Sequence, residues 1–280
     1  MPNKSISFYN EGEETLSDGA QLTVEIAKNH LACIAKKHNN RAVEAFELFV
    51  FNQEESENFE HLISNISNQS QVLSTKAPVT SVYINNEYCV PVPIFVFNKD
   101  IAAEYLKIAC GEIDACKTLF EHLPIEPGII NTFTIDPQQF DWMNQNWDRP
   151  TFHHTYSSII RRISVSSMDN SHVIIVQFYD TFMIATAVKN GSLQLIQSFV
   201  YDNPEDVLYY LLNIAQQLEM STESLAIRIS GMINLEFKLY RELITYFKTV
   251  VVENGDESHS KVNVVEHPIH YFTPFFNLAI

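Results

Sequence analysis

The sequence predicts an α/β protein made of two similar lobes in tandem. The chain has 280 residues, which is enough for two cores because domains commonly contain about 100 to 200 residues. Each half is expected to hold three short strands, then a helix and a fourth strand. The first strands begin at residues 21 and 172 and the fourth strands at 79 and about 225, so the offsets of 151 and 146 nearly agree. Such a matched offset indicates an internal duplication.

The first half begins with a polar, acidic stretch, residues 1–18, which predicts a flexible, poorly ordered arm. From Gln21 onward, apolar and polar residues alternate in runs separated by turns at Lys28-Asn29 and at 38–41, which is the pattern of an antiparallel meander. Apolar residues then recur at helical spacing. The elements predicted for this half are strands at 21–26, 31–34 and 42–51, a helix at 53–72, and strands at 79–84 and 88–93.

In the second half, the strongest local signal is Asn190-Gly191, because both residues accept the positive φ of a tight hairpin. Asn203 and Pro204 are typical of the N-cap and the first position of a helix. The elements predicted for this half are strands at 172–178, 181–189 and 192–200, a helix from Pro204, a strand at 225–230, a helix at 234–248 and a strand at 249–253.

The segment between the halves predicts two further helices, at 136–147 and at 151–162. We therefore place a boundary near residues 148–150, with the arm at 1–18, the first lobe at 19–149 and the second lobe at 150–280. A three-stranded meander followed by a helix and a strand describes a ribonuclease H-like unit, and two in tandem describe the actin-like ATPase architecture. The alternative is two unrelated α/β lobes.

Composition excludes several classes of function. Only 7 residues are glycine, and their spacing matches neither GxGxxG nor a Walker loop, which need glycine for close approach to phosphate. The formal charge of −16 marks an acidic protein and disfavours nucleic acid, including a nuclease substrate, and anionic membranes as partners. The four cysteines fit no disulfide framework. With neither an apolar leader nor a long apolar run, we expect a cytoplasmic location and no membrane insertion.

Several short segments resemble a bacterial family of unknown function whose fold is actin-like and is related in architecture to the actin homologues of type IV pilus assembly. The resemblance covers nearly all of residues 20–280. It implies the tandem fold, and it implies no assigned reaction. The segments that carry it are Val90-Pro91-Val92-Pro93 with Phe95, Gly191-Ser192-Leu193 with Phe199, residues 205–212, Ser230-Gly231, and His267-Pro268 with residues 275–278.

Actin-like ATPases place an acidic residue and glycines in the first hairpin of each lobe, where backbone amides meet phosphates and the carboxylate orients hydrated Mg²⁺. Here the first hairpin offers Glu25, Lys28 and Asn29 without glycine, and the second offers Asp180 and Thr181, also without glycine. Gly231 stands at the position of the adenosine turn. The candidates for binding ATP with Mg²⁺, if a nucleotide binds, are therefore Lys28, Asn29, Asp180, Thr181 and Gly231.

The shortage of glycine predicts a catalytically inactive scaffold, a pseudo-ATPase, with no catalytic residue and no cofactor, that binds a protein partner or a second copy of itself. The alternative is a divergent ATPase that uses side chains in place of glycine-rich loops. No metal site is expected: His153 and His154 are adjacent on a predicted helix, where neighbouring side chains point about 100° apart. The apolar tail, 271–280, is expected to pack within the chain, the alternative being a partner's groove.

Overall fold

The computed structural model describes residues 2–9, 16–37, 43–126, 128–165, 172–254 and 267–279. Contacts divide the chain into two units. Among the described residues, unit 1 takes those within 2–161 and 275–279, and unit 2 takes those within 162–254 and 267–274. The main division therefore falls at Arg161/Arg162, later than the expected boundary at 149/150.

Unit 1 is an α/β unit with a six-stranded sheet and a smaller three-stranded sheet. Its strands are β1 (Asn3–Tyr9), β2 (Gln21–Ala27), β3 (His30–Lys36), β4 (Val43–Val50), β5 (Val79–Asn85), β6 (Cys89–Pro93), β7 (Lys117–Leu123), β8 (Ile129–Ile135) and β9 (Thr151–His154). Its helices are α1 (Gln53–Ser56), α2 (Phe59–Gln69), α3 (Ala102–Cys110), α4 (Pro137–Asn146) and α5 (Thr155–Val165), the last of which runs across the division into unit 2.

The six-stranded sheet has the order β1-β4-β3-β2-β5-β9. Strands β2, β3 and β4 form the predicted antiparallel meander, and β2, β5 and β9 run parallel to one another. The meander strands are buried along almost their whole length, including polar residues of the alternating pattern such as Thr23 and Glu47. The turn predicted at 38–41 lies outside the described residues.

Unit 2 contains a five-stranded sheet of order β12-β11-β10-β13-β14. The meander strands are antiparallel, and β10, β13 and β14 are parallel. Leu211 of α6 and Leu243 of α7 belong to the core that covers one face of the sheet. The elements are β10 (His172–Phe178), β11 (Phe182–Lys189), β12 (Ser192–Val200), α6 (Pro204–Gln217), β13 (Ala226–Gly231), α7 (Lys238–Tyr246) and β14 (Thr249–Val252).

The expectation of a poorly ordered N-terminal arm is wrong for residues 3–9, which form the edge strand β1. The reason is the buried carboxylate of Glu47 on β4. It accepts a hydrogen bond from the Lys4 ammonium at 2.8 Å and another from the Tyr9 hydroxyl. Polar residues that look like a solvated arm in the sequence are thus the partners of an acid in the neighbouring strand.

Three predicted helices differ from the structure, and three further elements were not predicted. The helix predicted at 234–248 is shorter, since α7 spans only Lys238–Tyr246. The helix predicted at 53–72 is two helices, because the Asn58 side chain accepts from the His61 N–H and caps a new helix, α2. The helix predicted at 151–162 starts only at Thr155, since residues 151–154 form β9 alongside β5. Helix α3 and strands β7 and β8 were not predicted; they form the small sheet, of order β6-β8-β7, and its helix.

The prediction that the apolar tail packs within the chain is confirmed for residues 275–279. Phe275 and Phe276, at the end of helix α8 (Thr273–Phe276), are buried. Their rings lie 5.2 Å from Phe46 and 5.7 Å from Phe8, respectively, measured between centroids. The tail therefore completes the aromatic core of unit 1.

Candidate functional site

The candidate site residues lie where parallel strands end. In unit 1, β2, β5 and β9 end at Ala27, Asn85 and His154; in unit 2, β10, β13 and β14 end at Phe178, Gly231 and Val252. Ligands of α/β proteins bind at the carboxyl ends of such strands. In each unit, the last residues of the first two parallel strands pair with each other. Ala27 of β2 pairs with Asn85 of β5, and Phe178 of β10 pairs with Gly231 of β13.

The central group in unit 1 is the carboxylate of Glu25, which is completely buried near the end of β2. One oxygen, Oε1, accepts from Asn85 Nδ2 at 3.0 Å and from the Thr155 hydroxyl at 2.9 Å. The other, Oε2, lies 3.2 Å from His30 Nε2. Three side chains from β3, the end of β5 and the start of α5 therefore converge on one acid.

The predicted residues Lys28 and Asn29 form the turn between β2 and β3. Lys28 is exposed, and Asn29 is half-buried. The Asn29 carbonyl accepts from the Phe51 N–H at 3.0 Å, and its side-chain oxygen lies 3.3 Å from His30 Nδ1. The hairpin thus exposes one cationic side chain, that of Lys28. The nearby acid, Glu25, is held by hydrogen bonds within the unit.

In unit 2, the predicted residues Asp180 and Thr181 lie in the hairpin between β10 and β11, and both are exposed. The residue before them, Tyr179, is buried, and its ring stacks on Phe182 with centroids 4.6 Å apart. The Tyr201 hydroxyl donates to the Tyr179 carbonyl at 2.9 Å. Burial, together with the negative charge of Asp180, raises the pKa of Tyr201 to about 12, so this hydroxyl keeps its proton. An aromatic cluster therefore holds this hairpin.

Gly231 ends β13 with a φ of +89°, in direct contact with β10. A Cβ atom at this position would lie 2.1 Å from the Phe178 carbonyl oxygen, which accepts a hydrogen bond from the Met232 N–H at 2.8 Å. The close approach that requires glycine here is the approach of one strand to its neighbour. Packing alone explains this glycine, whether or not a nucleoside lies nearby.

The third parallel strand of unit 2 is followed by another acid, Glu253. Its carboxylate lies 2.6 Å from the Arg228 guanidinium, and its N–H donates to the Ile229 carbonyl at 2.8 Å. Both contacts tie the end of β14 to β13. This acid, like Glu25, is engaged by its own unit.

His153 and His154 lie on strand β9, where successive side chains point to opposite faces. His153 Nδ1 is 2.6 Å from a Glu121 oxygen. His154 is buried, with Nδ1 accepting from the Tyr156 N–H and Nε2 facing the Asn86 carbonyl, both at 3.1 Å. Burial lowers the pKa of His154 to about 3, so the ring is neutral. Across the described ranges, no three His, Cys, Asp or Glu side chains are grouped as metal ligands.

The structure brings the predicted residues together only in part. Lys28 and Asn29 share one turn, and Asp180 and Thr181 share another that adjoins Gly231 through Phe178. The partners of Glu25 were missed, because Asn85 and Thr155 are 60 and 130 residues away in sequence. The available signal was weak: Asn85 is a polar residue at the end of β5, and Thr155 is a polar residue directly after β9.

Comparison with known proteins adds a family and a fold. The family model described as "Protein of unknown function (DUF3822)" matches residues 11–250. A Bacteroides thetaiotaomicron protein with an actin-like ATPase fold and unknown function is similar at 18% identity, with a TM-score of 0.75 over 87% of this chain and 95% of that one. A chain of the PilM-PilN type IV pilus biogenesis complex is similar at 10% identity, with a TM-score of 0.54 over 92% and 96%.

These likenesses establish the actin-like ATPase fold and confirm the predicted fold class. The comparison with curated proteins gives no match. No helix in the described part of the chain is long and apolar enough to cross a bilayer. Because the family model spans most of the sequence, the chain belongs to the family of proteins of unknown function DUF3822.

Proposed function

We propose that this protein is an actin-like scaffold that does not hydrolyse ATP and that binds another protein. The observation that carries the proposal is the engagement of Glu25 by Asn85, Thr155 and His30. In an actin-like ATPase, the acid of this hairpin is the group expected to orient hydrated Mg²⁺.

The Glu25 carboxylate can accept only a few hydrogen bonds. An ionised carboxylate offers about four lone-pair sites, and three side chains of this chain already contact Glu25. Glu25 also has no exposed surface. A hydrated magnesium ion needs oxygen ligands or acceptors in a near-octahedral arrangement. To reach Glu25, the ion would have to displace buried hydrogen bonds, each costly to leave unmade.

The hairpin of unit 2 supports the same proposal. A phosphate-binding turn needs small residues so that backbone amides approach the anion. Here Tyr179 and Phe182 stack on each other, and the Tyr179 carbonyl is bonded to Tyr201. The exposed carboxylate of Asp180 would, in addition, repel a phosphate unless a metal ion lay between them.

Protein binding is supported by a structural relative and by charge. The PilM-PilN complex contains a chain of this fold joined to a protein partner. With a formal charge of −16, this chain favours a basic partner surface over nucleic acid or an anionic membrane. A second copy of the chain is the other partner that the proposal admits. The cysteines in the described residues are free, which agrees with a reducing, cytoplasmic location.

The proposal is tested by calorimetric titration of the full chain with ATP in excess Mg²⁺, followed by an assay of phosphate release. We expect no saturable heat up to about 1 mM ATP, a concentration that would reveal any dissociation constant in the micromolar range, and no phosphate above the buffer blank. Micromolar binding with turnover would overturn the proposal.

One observation favours a divergent nucleotide-binding ATPase as the second candidate: Lys28, Asp180 and Thr181 are exposed on the two hairpins. In that case, Lys28→Ala and Asp180→Ala should each weaken nucleotide affinity. Lys76→Ala is the matched control, because Lys76 is also an exposed lysine of unit 1 but precedes β5, at the other end of the sheet. Equal affinities in all three variants would exclude this candidate.

A further inference from the structure

A cavity of about 970 Å³ lies in unit 1, at the end of the six-stranded sheet opposite to Glu25. Tyr9 at the end of β1, Ala20 before β2, Glu44 in β4 and Pro78 before β5 all line it. Its volume falls at the upper end of the range of about 300–1,000 Å³ found for ligand pockets. It shares no residue with the hairpins described above.

The chemistry of this cavity is set by Glu44. Its side chain is only 4% exposed, and its Oε2 accepts from the Ser17 N–H at 3.2 Å. No Lys, Arg or His in the described part of the chain forms an ion pair with it. A buried charge without a counter-ion is costly, so a cation entering the cavity would remove that cost.

A second polar group on the same wall, the Ser17 hydroxyl, can donate or accept a hydrogen bond. Its oxygen is buried and has no hydrogen-bond partner among the described residues, although buried polar atoms are nearly always satisfied. Ser17 lines the cavity beside Glu44. A cationic group with several N–H donors can pair with the Glu44 carboxylate and also donate to the Ser17 hydroxyl oxygen. An anion could accept from the Ser17 O–H, but it would then face the buried carboxylate of Glu44.

The remaining wall contributes apolar surface and both charge signs. Leu16 and Val72 give the cavity an apolar side, suited to an aliphatic stem. Asp18 adds a second carboxylate, and Lys76 adds one opposing charge, with both residues exposed to solvent. The cavity therefore has a net negative charge, with its most buried charge on Glu44.

We propose that this cavity binds an ammonium or guanidinium group carried on an aliphatic stem, with Glu44 as its counter-ion and Ser17 as a second acceptor. The source is either a free small cation or a basic side chain of a partner protein. The proposal does not depend on the absence of ATPase activity, because Glu44 and Glu25 lie at opposite ends of the sheet.

The test is a calorimetric titration of the full chain at fixed ionic strength with butylguanidinium chloride, with sodium butyrate as the anionic control. Saturable binding of butylguanidinium alone is the expected result. Glu44→Gln keeps an acceptor for the Ser17 N–H and removes the charge, and should weaken binding by about tenfold or more, as for the loss of a charge-assisted hydrogen bond. Glu60→Gln, on the exposed surface of α2, should leave binding unchanged.

A second variant and a second probe complete the test. Ser17→Ala keeps the backbone N–H that Glu44 accepts and should weaken binding by roughly fivefold, as for one neutral hydrogen bond, even if Glu44→Gln fails to fold. A blocked tripeptide, acetyl-Gly-Arg-Gly-amide, separates the sources: tighter binding than butylguanidinium indicates a peptide partner, and weaker binding indicates a free cation. The absence of saturable binding by either probe up to about 50 mM, or equal binding to both variants and wild type, would overturn the proposal.

Discussion

Replacing Gly231 by alanine should destabilise the protein far more than the same change at another glycine with positive φ. The added Cβ atom would lie 2.1 Å from the Phe178 carbonyl oxygen, whereas real Cβ contacts stay beyond 3.0 Å. Strand β13 would therefore have to withdraw from β10 by roughly 0.9 Å. Gly111 is the matched control, because its φ is +84° and nothing lies within 4 Å of its Cβ position.

The magnitude follows from adding the costs at each site. In both variants alanine must adopt a positive φ, at a cost of about 1–3 kcal/mol. Gly231→Ala also has the cost of overpacking, about 1–3 kcal/mol, and of the weakened bond from Met232 to Phe178, about 1 kcal/mol. We expect Gly231→Ala to lose about 3–7 kcal/mol and Gly111→Ala about 1–3 kcal/mol of unfolding free energy.

The assay is guanidinium unfolding followed by circular dichroism, with hydrogen exchange measured on peptides covering β10 and β13. Faster exchange in those two strands should accompany the loss of stability in Gly231→Ala and be absent in Gly111→Ala. If both variants lose the same free energy, the close approach of the two strands does not explain this glycine. The interpretation of Gly231 as a residue required by packing would then be refuted.

Three other predictions concern buried ionisable groups. Burial raises the pKa of Glu47, but hydrogen bonds from Lys4, Ser70 and Tyr9 outweigh this effect and hold the pKa below 4.5. The stability that the ionised Glu47 carboxylate contributes is therefore present above about pH 4.5 and is lost as the pH falls through the folded-state pKa. Glu47→Ala should cost about 3–5 kcal/mol at pH 7 by urea unfolding, and a cost below 1 kcal/mol would contradict the network. Because the pKa of His154 falls from 6.5 to about 3 on folding, wild type should lose on the order of 4 kcal/mol between pH 6.5 and pH 3, and His154→Gln should lack this loss when unfolding is compared across that range. Glu25→Ala should lose at least about 2 kcal/mol by thermal unfolding, because it leaves buried donors without an acceptor, and should leave the ATP titration unchanged; a new nucleotide affinity in this variant would contradict the account of the site.

How far the fold could be predicted depended on how local the signals were. Strands β10 and β12 were predicted with their observed limits, because the apolar run of β10 and the Asn190-Gly191 turn before β12 are read from neighbouring residues. Strand β1 was missed because its anchor, Glu47, lies 38 residues from Tyr9 in sequence. In the small sheet, β6 was predicted as the strand at 88–93, whereas β7 and β8 were missed because they carry little strand periodicity.

The candidate site shows the same limit. The sequence placed Lys28, Asn29 and Asp180 in the correct turns, because turns follow from short patterns, and it began β11 one residue early, at Thr181. It could not show what surrounds Glu25, since two of the contacting side chains are 60 and 130 residues away. The scarcity of glycine in the sequence indicated that phosphate would be bound poorly. Only the structure shows a second reason: the acid expected to orient Mg²⁺, Glu25, is buried and already hydrogen-bonded within its own unit.

A crystal structure of the full chain grown with Mg²⁺ and a non-hydrolysable ATP analogue would show whether Glu25 serves a magnesium ion. We expect Glu25 Oε1 to keep its contacts with Asn85 and Thr155, at 3.0 and 2.9 Å, and no phosphate to lie on the Lys28 or Asp180 hairpin. A magnesium ion or its water bonded to Glu25, with phosphates held by these hairpins, would refute the proposed scaffold.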